Sequence, residues 1–287
     1  MGDRWALMIL HLAFQRVRRF EDFQGRTGMA RSMLTDRLRR LEAGGVLERR
    51  RYQNRPPREE YRLTERGADL FGAAMMITRW EKRWFLDLDI PAHRLVHSCG
   101  KLCTPELRCR TCNAEVDARE VSAEPGPGAG WDPPQPPRVQ RRSVVDRGDL
   151  TANQKMLERA IEVLGDRWTA HTIAAAFTGL KRFNALQESL RVAPNILSER
   201  LARLVDLGVL DRRPYQQRPE RFEYGLTAQG RDLFPIILEL VRWGDRWLAK
   251  AGPPEVHRHK PCGAILETKI TCDQCGEEIV PESTGLV

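Results

Sequence analysis

Three observations predict a mainly α chain with small β-hairpins, an α+β fold built twice over. The first is a gapless self-repeat at an offset of 163 residues. Segment 32–64 reads SMLTDRLRRLEAGGVLERRRYQNRPPREEYRLT and segment 195–227 reads NILSERLARLVDLGVLDRRPYQQRPERFEYGLT. The same offset carries Gly2-Asp3-Arg4-Trp5 onto Gly165-Asp166-Arg167-Trp168, Phe20 onto Phe183, Trp80 onto Trp243 and Cys112 onto Cys275. A repeat that long is a duplicated domain. The second is a change of period inside the repeat, from a helical leucine stripe to two short extended runs. The third is a cysteine pattern, C-G-x8-C-x2-C, that closes each copy.

The elements follow in order. Residues 4–14 (RWALMILHLAF) predict a buried helix, matched by 167–177 (RWTAHTIAAAF). Residues 154–164 add a further helical segment before the second copy; either the first copy lacks this helix or the chain start is assigned too late. His11 and His171 lie on these apolar helices in different columns and are expected to be satisfied core histidines. Short helices are predicted at 20–26 and 183–190, then turns at 27–30 and 191–193. A second helix follows at 31–43 and 194–206. Pro194 suits a first helical turn, where its missing N–H is not needed. Leu34, Leu38 and Leu41 share one face, as do Leu197, Leu201 and Leu204. Glycine ends each helix, Gly44 or Gly45 in one copy and Gly208 in the other. Extended runs at 46–52 and 60–64, repeated at 209–215 and 223–227, predict hairpins joined by loops of proline and arginine. Helix, turn, helix, hairpin is the order of a winged helix-turn-helix. Residues 65–90 and 228–251 predict long amphipathic helices whose tryptophan pairs, Trp80/Trp84 and Trp243/Trp247, suit a core or a helix–helix interface.

The charge is concentrated on these units. The chain has a net charge of +8, with a net +6 over 18–66 and +3 over 181–229. Arginine supplies nearly all of it, in a form suited to phosphate and guanine. A matched pair of basic helix–hairpin units is the footprint expected for double-stranded DNA. On the first helix Ser32, Thr35, Asp36, Arg39 and Arg40 point away from the leucine stripe. Asn195, Ser198, Glu199, Ala202 and Arg203 do so on the second. These are the candidate base-reading residues; Asp36 and Glu199 could instead pair with a nearby arginine, and Arg37 and Arg200 could touch phosphate or brace the fold. Candidate wing contacts to phosphate or minor groove are Arg49, Arg50, Arg51, Arg55 and Arg58, then Arg212, Arg213, Arg218 and Arg221. No run approaches the ~20 apolar residues of a membrane span, and no signal peptide is visible, so a soluble, cytoplasmic, nucleoid-associated protein is expected. No catalytic constellation stands out.

Six of the seven cysteines fall in the repeated pattern. His97, Cys99, Cys109 and Cys112 form one candidate ligand set, and His259, Cys262, Cys272 and Cys275 the other. One histidine with three cysteines is a donor set that tetrahedral Zn2+ prefers in a structural role. His93 could replace His97, and His257 could replace His259. The two histidines are not in identical columns, since His259 falls on Val96. Cys103 has no cysteine partner in the second copy. The expected organisation is a winged helix-turn-helix domain at 1–90, a zinc-ribbon-like element at 91–121, a Pro/Gly-rich linker at 122–149, a second winged domain at 150–252 and a second zinc element at 253–287.

The motif G-D-R-W, then R-R-F or K-R-F, then L-x-x-R-L-x-x-L-x-x-x-G-V-L-x-R-R-x-Y-x-x-R-P-x-R-x-E-Y-x-L-T-x-x-G resembles the HxlR-type bacterial winged helix-turn-helix regulators, in both copies. The closing cysteine element also resembles an extension of some members. The resemblance implies a DNA-binding transcriptional regulator with recognition helices at 31–43 and 194–206. Members usually carry one such domain and act as homodimers. A chain with two is then a covalent pseudo-dimer or half of a four-winged assembly. Members that sense oxidants or aldehydes carry a cysteine near the start of the helix before G-D-R-W, where this chain has Lys155. A zinc- or thiol-responsive regulator and a protein-interaction scaffold are the alternative readings; the small-molecule effector is unknown.

Overall fold

A computed structural model describes residues 4–85, 95–130 and 158–286. The first copy runs α1 (Arg4–Phe14), α2 (Phe20–Thr27), α3 (Arg31–Ala43), β1 (Leu47–Asn54), β2 (Pro57–Leu63), α4 (Glu65–Ala68) and α5 (Phe71–Trp84). Strands β3 (Leu95–His97), β4 (Pro105–Cys109) and β5 (Val121–Pro125) close it. The second copy opens with α6 (Glu158–Leu164) and repeats the order in α7 (Arg167–Phe177), α8 (Phe183–Leu190), α9 (Pro194–Asp206), β6 (Leu210–Gln217), β7 (Glu220–Leu226), α10 (Ala228–Arg231) and α11 (Phe234–Trp247). It ends in β8 (Glu255–His259), β9 (Thr268–Cys272) and β10 (Thr284–Leu286). The fold is mixed α+β, with two winged helix-turn-helix units. Residues 154–157 of the expected leading helix lie outside the described residues.

Sequence periodicity becomes packing directly in α3 and α9. Leu34, Leu38 and Leu41 are buried on α3, and Leu197, Leu201 and Leu204 on α9. Each helix stops where the chain takes a left-handed turn, at Gly45 (φ 69°) and Gly208 (φ 71°), which glycine adopts without a Cβ clash. Thr64 then restarts the chain as an N-cap. Its Oγ1 accepts from Gly67 N at 3.0 Å and donates to Gly45 O at 2.6 Å. Thr227 repeats both bonds.

The hairpins are longer than the extended runs expected. In the first, Leu47 pairs with Leu63 at the base and Asn54 with Pro57 at the tip, with a bulge between Arg51 and Gln53. The second hairpin matches it, from Leu210–Leu226 to Gln217–Glu220. Much of the expected proline–arginine loop is therefore paired strand, and the hairpin tip carries Arg55 and Arg58 outward.

The long amphipathic helices depart from expectation in another way. Each is broken, into α4 plus α5 and into α10 plus α11. The break places Asp69 and Asp232 at a corner, and the opposite copy meets both. Trp84 Nε1 donates to Asp232 Oδ2 and Trp247 Nε1 to Asp69 Oδ2, each at 2.8 Å. Arg79 and Arg83 reach Asp232 at 2.7 and 3.2 Å; Arg242 and Arg246 reach Asp69 at 3.2 and 3.4 Å. Trp80, fully buried, joins the core holding Leu186, Leu197 and Leu201, and its Nε1 donates to Gln229 O at 3.0 Å. Trp243 joins the core holding Phe23, Leu34 and Leu38 and donates to Arg66 O at 2.8 Å. Each copy thus supplies a tryptophan to the other's core, through contacts related by the repeat offset.

The cysteine elements also cross. Strand β3 pairs with β10, β4 with β9 and β5 with β8, all antiparallel. The expectation of one self-contained element per copy is corrected here, since each of these strands finds its partner in the other copy. The pseudo-two-fold passes through the β4–β9 ladder, where Leu107 faces its own equivalent, Ile270. The start of the expected linker belongs to this element too. Residues 121–125 are strand, and Gly126 N and Gly128 N donate to Pro254 O and Pro253 O at 2.9 and 3.1 Å. A Cβ at Gly126 would stand 2.2 Å from Pro253 O, so the close approach requires glycine. Residues 131–149 lie outside the described residues.

Candidate nucleic-acid interface and metal centres

The candidate reader faces are built on α3 and α9. Ser32, Thr35, Arg39 and Arg40 are exposed and Asp36 is half-buried; Asn195, Ser198, Glu199, Ala202 and Arg203 are all exposed. An open depression lined by Arg31, Ser32, Thr35, Asp36 and Arg39 runs along α3. Asp36 is engaged at once by Arg37 at 2.6 Å and Arg40 at 3.0 Å. Glu199 lies 2.9 Å from Arg200. The pairing that the sequence left open for these two carboxylates is therefore formed in both copies.

Arg200 is a brace. Its side chain is half-buried and meets the Asp166 carboxylate at 2.8 and 3.1 Å. Asp166 also caps α7, accepting from Thr169 N at 3.0 Å. Burial pushes the Asp166 carboxyl up, but the hydrogen bonds from Arg200 and Thr169 outweigh it and hold it below its ordinary value. A depressed carboxylate stabilises the fold above its unfolded pKa, and that contribution disappears as pH falls through the folded value. Asp166→Asn should lower the melting temperature at neutral pH, and the gap to the parent should close below about pH 4. Thermal melts of both proteins between pH 7 and 3 check this; a gap that stays constant with pH counts against the ion pair.

The wing arginines are exposed on both hairpins. Arg49 pairs with Glu42 at 2.8 Å and Arg50 with Glu48 at 2.6 Å; Arg213 pairs with Asp211 and Arg212 lies over the Phe222 ring. Among the described residues, no ion pair is formed by Arg39, Arg51, Arg55, Arg58, Arg203, Arg218 or Arg221. These are the cations still open to a polyanion. The sequence reading missed a matched stack beside them. Arg19 lies over the exposed Tyr52 ring at 5.1 Å, and Arg182 over Tyr215 at 4.6 Å. The arginines come from the R-R-F and K-R-F motifs and the tyrosines from R-R-x-Y, so the sequence marked both partners in each copy but not their pairing.

The eight expected metal-ligating side chains do come together, in different company. Cys99 gathers with His97, Cys272 and Cys275; Cys262 gathers with His259, Cys109 and Cys112. The sequence grouping within each copy is corrected, because the crossed strands carry each C-x-x-C pair to the other copy's histidine. Within each group the donor atoms lie within 4.8 Å of one another. Cys109 Sγ stands 3.9 Å from Cys262 Sγ, and His259 Nδ1 is 3.3 and 3.4 Å from Cys112 and Cys262. His97 Nδ1 is 3.3 Å from Cys275 Sγ. A tetrahedron with metal–sulfur bonds of ~2.3 Å has edges of about 3.8 Å, so the donor sets fit such an ion. Four left-handed residues, Gly100, Asn113, Gly263 and Gly276, fold the chain back after Cys99, Cys112, Cys262 and Cys275.

His97 and His259 are the histidines in the two groups. His257 lies elsewhere on β8, 4.0 Å from Glu255, and His93 is outside the described residues. The column mismatch is absorbed by register. Thr284 faces His97 while its repeat equivalent, Val121, faces His259. Cys103 belongs to neither group. Burial, and then Cys272 beside it, push its thiol up to about 12. Of the two helix histidines, burial pushes His11 down to about 4, with Gln15 Nε2 at 2.7 Å. His171 is exposed beside Trp168, contrary to the expected core position.

Two helix-turn-helix units, each with an arginine-bearing wing, define a winged helix-turn-helix regulator. The chain belongs to the HxlR-like helix-turn-helix family, which matches residues 1–88 and 163–251. It is similar to an HTH-type transcriptional regulator of Mycobacterium tuberculosis, 47% identical over 122 residues, covering 42% of this chain and 77% of that one. The HTH-type regulator YvaP of Bacillus subtilis is 35% identical over 92 residues, covering 32% of this chain and 85% of its own. Among solved structures, the reduced form of the transcriptional regulator YodB from B. subtilis matches at 30% identity and a TM-score of 0.29, covering 33% of this chain and 92% of that one. Lys155, where oxidant-sensing relatives are expected to carry cysteine, lies outside the described residues. Among the described residues no helix is long and apolar enough to cross a membrane.

Proposed function

We propose that this chain is a sequence-specific, double-stranded-DNA-binding transcriptional regulator that carries both of its readers in one polypeptide, as an intramolecular pseudo-dimer. It is a binding protein, not an enzyme, and works in the cytoplasm on the nucleoid. The observation that carries the reading is the pair of exposed faces on α3 and α9, flanked by Arg51, Arg55 and Arg58 in one copy and Arg218 and Arg221 in the other, which form no ion pair among the described residues. Ser32, Thr35, Arg39 and Arg40 read one half-site, and Asn195, Ser198 and Arg203 the other. Asp36 and Glu199 set the arginines beside them. Arg49, Arg51, Arg55, Arg58, Arg212, Arg213, Arg218 and Arg221 grip phosphate or minor groove.

The two faces differ, so the operator has unlike half-sites. Arg39 and its repeat counterpart Ala202 are the sharpest contrast, since arginine reads guanine bidentately and alanine cannot. Arg39→Ala with Arg40→Ala should weaken specific binding by about tenfold or more, a bidentate base contact being worth roughly 1–3 kcal/mol. The footprint should fade over one half-site only; loss over both, or over neither, overturns separate readers. Affinity should also fall steeply with salt, as phosphate contacts release counterions. Gel shifts on the neighbouring intergenic DNA provide the first measurement.

The two crossed donor sets are read as structural zinc sites, with His97, Cys99, Cys272 and Cys275 holding one ion and His259, Cys262, Cys109 and Cys112 the other. What supports this is the donor chemistry, three thiols and one imidazole nitrogen in each group, which leaves no open position for catalysis.

A further inference from the structure

We infer that the two metal ions are staples between the copies, so that metal binding and the joining of the two DNA readers are one event. This rests on the zinc reading above and adds to it what the metals connect. Each site takes a histidine and a cysteine from one copy and a C-x-x-C pair from the other. Neither copy holds a complete ligand set.

The element that bears the ligands is tied to the helices that join the copies. Lys82 on α5 donates to Thr104 Oγ1 at 2.9 Å and Cys103 O at 3.3 Å, just before β4. Arg79, which holds Asp232, also reaches Glu115 at 3.1 Å. On the other side Glu239 of α11 accepts from Thr268 Oγ1 at 2.6 Å. Thr268 faces the ligand Cys109 across the β4–β9 ladder. Loss of metal therefore releases crossed strands that lean on α5 and α11, and the core around Trp80, which includes Leu95, Leu107 and Ile270 of those strands, loses its cover.

Counting zinc in the full chain tests the inference. The parent should hold two ions per chain by metal analysis and native mass spectrometry. Cys112→Ser with Cys262→Ser removes two ligands of one crossed site and should leave one ion. Cys99→Ser with Cys112→Ser, both within the first copy, should leave none. Sites confined to one copy give the reverse, none and then one, and that result overturns the staple while leaving zinc binding intact. A parent that holds no zinc overturns the zinc reading itself. Should either double variant fail to fold, the parent answers alone. Limited diamide oxidation of the zinc-loaded parent, without prior chelation, should on peptide mapping give cross-copy disulfides of Cys99 with Cys272 or Cys275, and of Cys262 with Cys109 or Cys112. Cys99 joined to Cys109 or Cys112 overturns the crossing. Chelation should also raise amide exchange in α5 and α11 together; exchange unchanged in both overturns the coupling.

Discussion

Trp80→Ala should destabilise the second copy more than the copy that encodes it. Trp80 is fully buried in the core of Leu186, Leu197 and Leu201, and its indole N–H is bonded to Gln229 O. Truncating a buried tryptophan costs about 3–5 kcal/mol, from lost transfer energy and the cavity left behind. The Gln229 carbonyl also loses its donor. Hydrogen exchange should therefore rise first in α8 and α9, more than a hundred residues away in sequence. Trp243→Ala should do the converse, loosening α2 and α3 around Phe23 and Leu34. If each variant loosens its own copy and spares the other, the exchange of tryptophans is not what holds the halves. The reason for expecting crossed effects is that a side chain stabilises the core it fills, whichever segment encodes it.

Gly72→Ala is the second substitution expected to have a large effect, through a carboxylate on the opposite helix. A Cβ at Gly72 would lie 2.2 Å from Glu239 Oε2. Glu239 is buried, and it accepts from Thr268 at 2.6 Å and Arg242 at 3.1 Å. A methyl group there must displace Oε2, the atom that accepts from Arg242. Losing both donors would cost about 3–5 kcal/mol, and the cost is smaller to the extent that the side chain swings aside with one bond kept. The repeat counterparts are Pro235 for Gly72 and Met76 for Glu239, so the two interface helices are unlike where they matter. At this contact Glu239 meets a glycine, and the counterpart positions hold Met76 and Pro235, so the two copies are not interchangeable here. In thermal melts, Gly72→Ala should cost far more in the parent than in a Glu239→Ala background, a coupling that a double-mutant cycle measures directly. Equal cost in both backgrounds would mean that the glycine serves some other purpose.

Much of this protein was legible one residue at a time. The leucine stripes at 34, 38, 41 and 197, 201, 204 placed α3 and α9, because a helix buries every third or fourth residue on one side regardless of what it packs against. The repeat offset revealed the duplication, and the arginine positions revealed which faces stay outside. The histidine and cysteine types also marked all eight candidate ligands. Local rules carry these features: period, turn chemistry and donor type are written within a few residues of one another.

What joins the copies was not legible in that way. Spacing grouped His97 with Cys109 and Cys112, whereas strand pairing delivers those cysteines to His259, since β4 and β9 lie antiparallel across the pseudo-two-fold. An unbroken pattern from 65 to 90 hid the corner at Asp69, which exists to be met by Trp247 and two arginines of the other copy. The apparent linker start at 122–125 became strand only because β8 offers it an edge. In a perfect repeat every local signal occurs twice, so each partner has an equivalent within its own copy. Choosing between the near partner and the far one is a matter of three-dimensional closure, which no window along the chain contains.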